Sequence, residues 1–187
     1  MTETASQFLA TRRSRPAKLL GEPAPDRDAL LPLLEAALRV PDHGKLEPWR
    51  LVVLSAPALR ALAAPVREAA AARGLPEAEA DKAASVYETS PLAVAVIESP
   101  VESDAIPLVE QTYSAGCVCL SLLNAALAAG WGANWLSGWP AHDRDLMARH
   151  LGLAPGERVA GIVHIGTARS APPERPRPDL AAKVEWR

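Results

Sequence analysis

Two strongly patterned elements of this 187-residue chain are separated by the segment RVPDHGKLEPWR, residues 39–50. Apolar residues at helical spacing precede the segment, and the compact apolar run Leu51-Val52-Val53-Leu54, which predicts a buried strand, follows it. A simple connector between a helix and a strand needs neither an arginine, a histidine nor a tryptophan. The composition of residues 39–50 therefore indicates a loop that binds a ligand.

Outward from this loop, turn residues and apolar periodicity predict an α+β domain with about four or five strands. The helix before the loop is expected to take Asp28 as its N-cap, which places Pro32 in the first turn, where proline is tolerated. Residues 92–97 are apolar on both faces, which predicts a central strand. The other predicted elements are helices at about 4–13, 55–74, 76–86, 107–130 and 143–151 and strands at 49–55, 134–137 and 158–165.

Composition argues against several classes of protein. Apolar residues make up 49% and charged residues 22% of the chain, as in ordinary soluble proteins, and a single domain over residues 1–187 is expected. The formal net charge of −2 gives no electrostatic support for binding nucleic acid. The first residues, MTETASQ, lack the basic and apolar regions of a signal peptide, so we expect a cytoplasmic protein.

Neither the cysteines nor the histidines indicate a metal site. Cys117 and Cys119 fall on the predicted helix 107–130, where a spacing of two turns their side chains roughly 200° apart, so we expect two free thiols. The four histidines are scattered and lack metal-ligand spacing. His164 lies inside an apolar strand pattern and is expected to be a core residue.

The longest helical pattern, residues 107–130, is apolar or small nearly all round from Tyr113 to Ala129. Asn124 and the many alanines would make membrane insertion weak, so we expect a helix buried within the protein and no contact with a membrane. A chain exposing this helix and a proline-rich arm from about residue 168 would be poorly soluble alone. An obligate homodimer, in which a second subunit covers part of the helix, is therefore our hypothesis.

Three of the five tryptophans, Trp131, Trp135 and Trp139, fall within nine positions. A core rarely needs such a cluster, because a buried indole N–H requires a partner. The cluster is interpreted either as a patch at a subunit interface or as the wall of a pocket for a planar aromatic ligand. The two interpretations are compatible.

Arg12-Arg13-Ser14, at the end of the first predicted helix, is a candidate phosphate clamp. Two permanently charged guanidinium groups and one hydroxyl all donate hydrogen bonds. Taken alone, however, two arginines that end a surface helix are more often solvated charges.

In their order and spacing, Arg12-Arg13-Ser14, residues 39–50 and Asn134-Trp135-Leu136-Ser137-Gly138 resemble the minimal branch of the FMN-dependent nitroreductase family. The resemblance implies a nitroreductase-like fold, with a central mixed or antiparallel sheet flanked by helices and FMN sites at the interface of a homodimer. It also implies that NADH or NADPH reduces the FMN, which then reduces nitroaromatics, quinones or similar small electron-poor acceptors by ping-pong hydride transfer. An FMN-binding carrier or sensor with little turnover is the alternative function.

The same resemblance assigns binding residues. FMN is expected to contact Arg12, Arg13, Ser14, Arg39, His43, Trp135, Leu136 and Ser137, and the nicotinamide nucleotide is expected to contact Ala125, Ala126, Leu127, Ala128, Ala129 and Gly130. Arg39 and His43 lie in the loop that the partner subunit is expected to contribute. The flavin carries the chemistry, so no side chain need act as an acid or a base. His43 is the candidate proton donor, because imidazole titrates near neutral pH.

Two residues depart from the family's pattern. Many relatives have arginine where this chain has Leu136 and glutamine where it has Glu47. Losing a cation and gaining an anion is expected to weaken FMN binding or to alter the choice of substrate. Arg175 or Arg177 in the tail is a candidate replacement cation.

Overall fold

The computed structural model describes residues 4–187, in which one antiparallel sheet is covered by helices on both faces. The strands are β1 Leu20–Gly21, β2 Trp49–Ser55, β3 Leu92–Glu98, β4 Gly132–Leu136 and β5 Arg158–Ala168. The helices are α1 Ala5–Thr11, α2 Arg27–Ala37, α3 Ala56–Ala72, α4 Glu77–Thr89, α5 Leu108–Ala128, α6 Trp139–His142 and α7 Arg144–Leu151. Short 3₁₀ turns occupy Ala17–Leu19 and His43–Lys45. The expected α+β architecture is confirmed.

The eleven-residue strand β5 organises the sheet, because three other strands pair with it. On one edge β5 pairs antiparallel with β3, which in turn pairs antiparallel with β2. The strand β4 pairs with β5 from Gly132 opposite Gly166 to Leu136 opposite Ile162, and β1 pairs with its last two residues. The predicted central position of β3 is confirmed, since all seven of its residues are buried.

Alternation of side chains along the strands divides the core in two. Ala93, Ala95 and Ile97 of β3 pack with residues of α3, α4 and α7 on one face of the sheet. Val94 and Val96 pack on the other face against α2 and α5. The sheet therefore has a face covered by α3, α4 and α7 and a face covered by α5.

The predicted start of α2 is wrong. Asp26, not Asp28, is the N-cap, and its carboxylate accepts a hydrogen bond from the Ala29 N–H at 2.9 Å. Pro32 consequently lies inside the helix and not in its first turn. The missing N–H of Pro32 would have bonded to the carbonyl of Asp28. Both residues are on the exposed side of α2, where water can bond that carbonyl, and this explains why the helix continues.

Other predicted boundaries move by a few residues, and two elements were not predicted. The strand expected at 134–137 begins at Gly132, and the strand expected at 158–165 continues to Ala168. The two-residue strand β1 and the four-residue helix α6 are too short to produce a periodic signal. Among the described residues, no helix combines the length and the apolar character that crossing a membrane requires.

An ion pair joins β2 to the turn before β5. Arg50 donates to both carboxylate oxygens of Glu157, at 2.8 and 2.7 Å, and to the carbonyl of Gly152 at 3.0 Å. Glu157 also accepts from the Ser99 hydroxyl at 2.6 Å. The hydrogen bonds from Arg50 lower the pKa of Glu157 to about 2, outweighing the opposing effect of its burial.

Replacing Glu157 by glutamine is expected to lower the free energy of unfolding at pH 7 by about 1–3 kcal/mol, because the charge-assisted bonds to Arg50 are lost. The folded-state pKa lies below the ordinary value, so the carboxylate stabilises the fold above pH 4.5 and that stabilisation is lost as the pH falls toward 2. Urea unfolding of both proteins across this range should show the difference between them shrinking. Glu88→Gln, which breaks an exposed pair with Arg67, is the matched control and should cost less than Glu157→Gln, because solvent screens the exposed pair. An equal or smaller effect of Glu157→Gln would contradict the assignment.

Candidate functional site

Arg12 and Arg13 follow α1 and face the C-terminal arm. The guanidinium of Arg12 donates to the Ser14 hydroxyl at 3.0 Å, and that of Arg13 donates to the Pro173 carbonyl at 2.7 Å. Glu174 of the same arm lies 3.5 Å from Arg13 and 3.3 Å from Arg177. The structure therefore brings the predicted triplet together with the arm and with Arg177.

The surroundings of Arg12 disfavour its positive charge, and a bound anion would reduce that free-energy cost. Burial, followed by the positive charges of Arg177 and Arg13, lowers the pKa of Arg12. Its Nε is buried and has no hydrogen-bond partner among the described residues. A buried donor without an acceptor costs free energy, and mutually repelling guanidinium groups add to that cost. A bound phosphate would supply both the acceptor and the negative charge.

These arginines line a cavity of about 280 Å³, which we call the arginine cavity. Its other lining residues are Phe8, Thr11, Arg15, Leu127, Gly130, Trp131, Gly132 and Ala168. Two residues of the predicted nicotinamide segment 125–130, Leu127 and Gly130, therefore lie beside the arginines. Of the remaining four, Ala126 is buried, Ala125 is half-buried, and Ala128 and Ala129 are exposed at the end of α5.

The strand β4 begins at this cavity and carries the next predicted residues away from it. Trp135 points toward the α5 face and lies over Gly161, where any larger residue would collide with the indole. The Trp135 Nε1 is buried without a partner among the described residues. Leu136 points to the opposite face of the sheet, and Ser137, just beyond the strand, is exposed.

The outer edge of β4 is largely open. The carbonyl of Ala133 accepts from the Arg15 N–H at 2.8 Å, so the polar groups of Ala133 point away from β5. Alternate residues of an antiparallel strand share this direction, so the N–H and C=O of Trp135 point the same way. No described strand or turn pairs with Trp135 on that edge.

A second cavity, of about 420 Å³, lies at the far end of β4 and is bordered by α4. We call it the β4–α4 cavity. Its walls are mainly apolar and are formed by Ala83, Val86, Leu136, Gly138, Trp139, Pro140, Ala141 and Ile162, with Glu79, Lys82, Tyr87 and His164 as its ionisable residues. Leu136 contributes no positive charge to this cavity, whereas Lys82 of α4 contributes one.

His164 is buried, as predicted for a core residue, with 1% of its surface exposed. Its Nδ1 lies 2.9 Å from the Ser90 hydroxyl, and its ring meets that of Tyr87 edge-on, with centroids 6.3 Å apart. Burial lowers the pKa of His164 to about 4, so the imidazole is neutral at pH 7. The same ring also borders the β4–α4 cavity.

Residues 39–50 form a tight, strained loop attached to α5. Gly44, Lys45 and Glu47 have φ of 72°, 55° and 48°. A left-handed conformation costs a non-glycine residue about 1–2 kcal/mol, and such strain clusters at functional sites. The Trp49 Nε1 donates to the Ser114 hydroxyl of α5 at 3.0 Å, which fixes the end of the loop.

The structure does not bring Arg39 and His43 to either cavity of their own chain. Arg39 is exposed at the end of α2. His43 is also exposed, and its Nδ1 lies 2.6 Å from a carboxylate oxygen of Glu110 at the start of α5. Among the described residues there is also no cluster of histidine, cysteine or acidic side chains that could hold a metal ion, and both cysteines are free.

Sequence reasoning missed the contribution of α4 to the site. In the sequence, Val86 and Tyr87 belong to an apolar helical pattern that indicates only core packing. The sequence around Lys82 is typical of a solvated charge. Their place at the cavity follows from how α4 packs beside β5, which no local pattern records. Gly161 was also missed, although a glycine inside a strand is a known sign of close approach by another group.

Comparison with known proteins places this geometry in a family. The model of the nitroreductase family matches residues 9–167, and the chain therefore belongs to that family of oxidoreductases. It is 31% identical over 163 residues to the "Putative NAD(P)H nitroreductase YdjA" of Escherichia coli K12, with 87% of each chain covered. It is 34% identical over 165 residues to the "Putative NAD(P)H nitroreductase" of Haemophilus influenzae, with 87% of this chain and 88% of that protein covered.

The fold agrees with solved structures. A "putative nitroreductase in complex with fmn" from Desulfovibrio desulfuricans superimposes with a TM-score of 0.76 over 100% of this chain and 98% of that one, at 22% identity. The expected nitroreductase-like fold is confirmed.

Proposed function

We propose that this protein is an FMN-dependent oxidoreductase that uses NADH or NADPH to reduce small electron-poor acceptors such as nitroaromatics or quinones. The observation that carries the proposal is the placement of two different cavities at the two ends of β4. One is lined by arginines, and the other is mainly apolar. A ligand with a phosphate at one end and a planar ring at the other fits this arrangement.

The arginine cavity is proposed to bind the phosphate. Arg12 and Arg13 would bond to phosphate oxygens, and Arg177, which already lies near Arg12, is the better candidate than Arg175 for the additional cation. Glu174 currently pairs with Arg13 and Arg177 and would compete with the phosphate for them.

The open edge of β4 and the β4–α4 cavity are proposed to hold the rest of FMN. Four steps along β4 cover about 13 Å, so the strand can lie beside the ribityl chain and lead to the ring. The unpaired N–H and C=O of Trp135 would bond to polar atoms of the ligand there. Leu136, Val86 and Ile162 would contact the apolar faces and edge of the ring.

When bound, FMN would supply the two-electron hydride chemistry between NADH or NADPH and the acceptor. The residues of the chain would bind the two ligands, orient them and shield them from water. The end of α5 at residues 125–130 offers a nicotinamide nucleotide mainly apolar contact, because its side chains carry no charge. His43, held by Glu110, is proposed as the proton donor from the partner subunit.

A second copy of the chain is proposed to cover α5. Leu108, Val109, Tyr113 and Leu120 are large apolar residues of this helix that are 45–66% exposed, and the spacing of the last three puts them on one side. His43 bonds to Glu110 at the start of this helix. A partner that packs along α5 would therefore meet the strained loop 39–50, as a site shared between subunits requires.

Replacing both Arg12 and Arg13 by alanine is expected to weaken FMN binding by about 100-fold or more, because at least two charge-assisted hydrogen bonds are lost. Quenching of flavin fluorescence measures the dissociation constant, and circular dichroism checks that the fold is retained. Glu174→Gln is the matched variant, because Glu174 is the acidic partner of Arg13. This substitution should tighten FMN binding, since it removes the carboxylate that competes with the phosphate. An unchanged dissociation constant in the double variant would place the phosphate elsewhere.

Leu120→Glu is expected to convert a dimer into a monomer and to release FMN at the same time, because a site shared by two subunits couples assembly to binding. Light scattering gives the mass, and gel filtration shows whether flavin stays with the protein. Val53→Glu is the control: Val53 is 46% exposed, close to the 45% of Leu120, but lies on β2. A monomeric Leu120→Glu protein that retains FMN at full occupancy would refute the shared site.

A further inference from the structure

One polar atom of the β4–α4 cavity has no assigned role. His164 is the only histidine that borders this cavity in the described part of the chain, and its ring is almost completely buried. Nδ1 is engaged with Ser90, but no hydrogen bond within the described residues reaches Nε2. The core role predicted for His164 accounts for the hydrogen bond between Nδ1 and Ser90, but it gives Nε2 no partner.

Ser90 determines which ring nitrogen carries the hydrogen. The hydroxyl of Ser90 lies 3.2 Å from the carbonyl of Leu92, which can only accept, so the single hydroxyl hydrogen is donated there. We therefore assign the Ser90 oxygen as the acceptor toward His164, with the N–H on Nδ1. Nε2 of the neutral ring is left with a free lone pair. The edge-on contact with Tyr87 restrains the ring in this position.

An acceptor that faces the cavity can pair with a donor from whatever fills it. The oxidised flavin ring has a single N–H donor, at N3, whereas its other polar ring atoms, including N1, N5 and both carbonyl oxygens, accept hydrogen bonds. We propose that His164 Nε2 accepts a hydrogen bond from the flavin N3–H and so determines which edge of the ring enters the β4–α4 cavity. This inference rests on the proposed function, in which FMN is the ligand.

The polarity of this contact is specific to neutral histidine. The low pKa of His164, about 4, keeps Nε2 available as an acceptor throughout the neutral range. With the dimethylbenzene edge against His164, Nε2 would stay unpaired. Besides His164, the ionisable side chains that border the cavity are Glu79, Lys82 and Tyr87, all on α4. His164 therefore acts as a residue that positions the ring, not as an acid or a base.

The test compares FMN with FMN methylated at N3, which lacks the donor. Dissociation constants of both flavins are measured by fluorescence quenching for the wild-type protein, His164→Phe and the control His150→Phe, whose histidine is exposed on α7. We expect the wild type and the control to bind FMN about tenfold more tightly than the methylated flavin. In His164→Phe this preference should fall to about twofold or less.

The outcomes separate this inference from the proposed function. If neither flavin binds the wild-type protein, both are overturned. If FMN binds tightly but methylation has no effect, or has the same effect in His164→Phe, the role of His164 alone is overturned.

A second measurement needs no substitution and covers the case in which His164→Phe does not fold. Nuclear magnetic resonance of ¹⁵N-labelled protein with ¹⁵N-labelled FMN can detect scalar coupling between flavin N3 and His164 Nε2 across the hydrogen bond. Observation of this coupling supports the inference. A resolved N3–H signal without the coupling overturns it.

Discussion

The antiparallel pairing of β5 with β3, β4 and β1 is the constraint on which the rest of the structure depends. Because side chains alternate along a strand, the register of β5 decides what each face receives. It directs Ile162 and His164 to the β4–α4 cavity and Val163 to the core beneath α5. It also puts Gly161 under the indole of Trp135. A shift by one residue would exchange the faces and remove the cavity.

The pairing of β4 with β5 sets two chemically different environments apart at the ends of one short strand. At the Gly132 end, burial and then the neighbouring guanidinium groups of Arg177 and Arg13 lower the pKa of Arg12. At the Leu136 end, the cavity is mainly apolar, and the buried His164 is neutral. Crowded cations are unfavourable unless an anion joins them, and an apolar cavity favours a flat, weakly hydrated ring. This contrast is the physical basis of the proposed FMN site.

Local sequence patterns predicted much of this fold, and long-range packing accounts for what they missed. The apolar runs of β2 and β3 and the small-residue pattern of α5 predicted the positions of these elements closely. The prediction that β2 is buried is wrong: only Leu54 of its seven residues is buried, because β2 is an edge strand that pairs only with β3. The prediction of Asp28 as the cap assumes that proline is confined to the first turn, and it is wrong because the exposed Pro32 is tolerated deeper in the helix. For the site, the tryptophan cluster indicated either a subunit-interface patch or a pocket wall, and Trp131 and Trp139 do border the two cavities. The contribution of α4 could not be predicted, since it depends on contacts between distant parts of the chain.

Anaerobic absorption spectroscopy tests the central claim, that this chain binds FMN as a working redox cofactor, most directly. Purified protein is loaded with FMN, freed of excess flavin, and titrated with NADH and, separately, with NADPH. The account predicts that flavin stays with the protein, that its visible bands bleach with at least one of the two nucleotides, and that they return when a nitroaromatic or quinone is added. Protein that retains no flavin, or retained flavin that stays oxidised with both nucleotides, would contradict it.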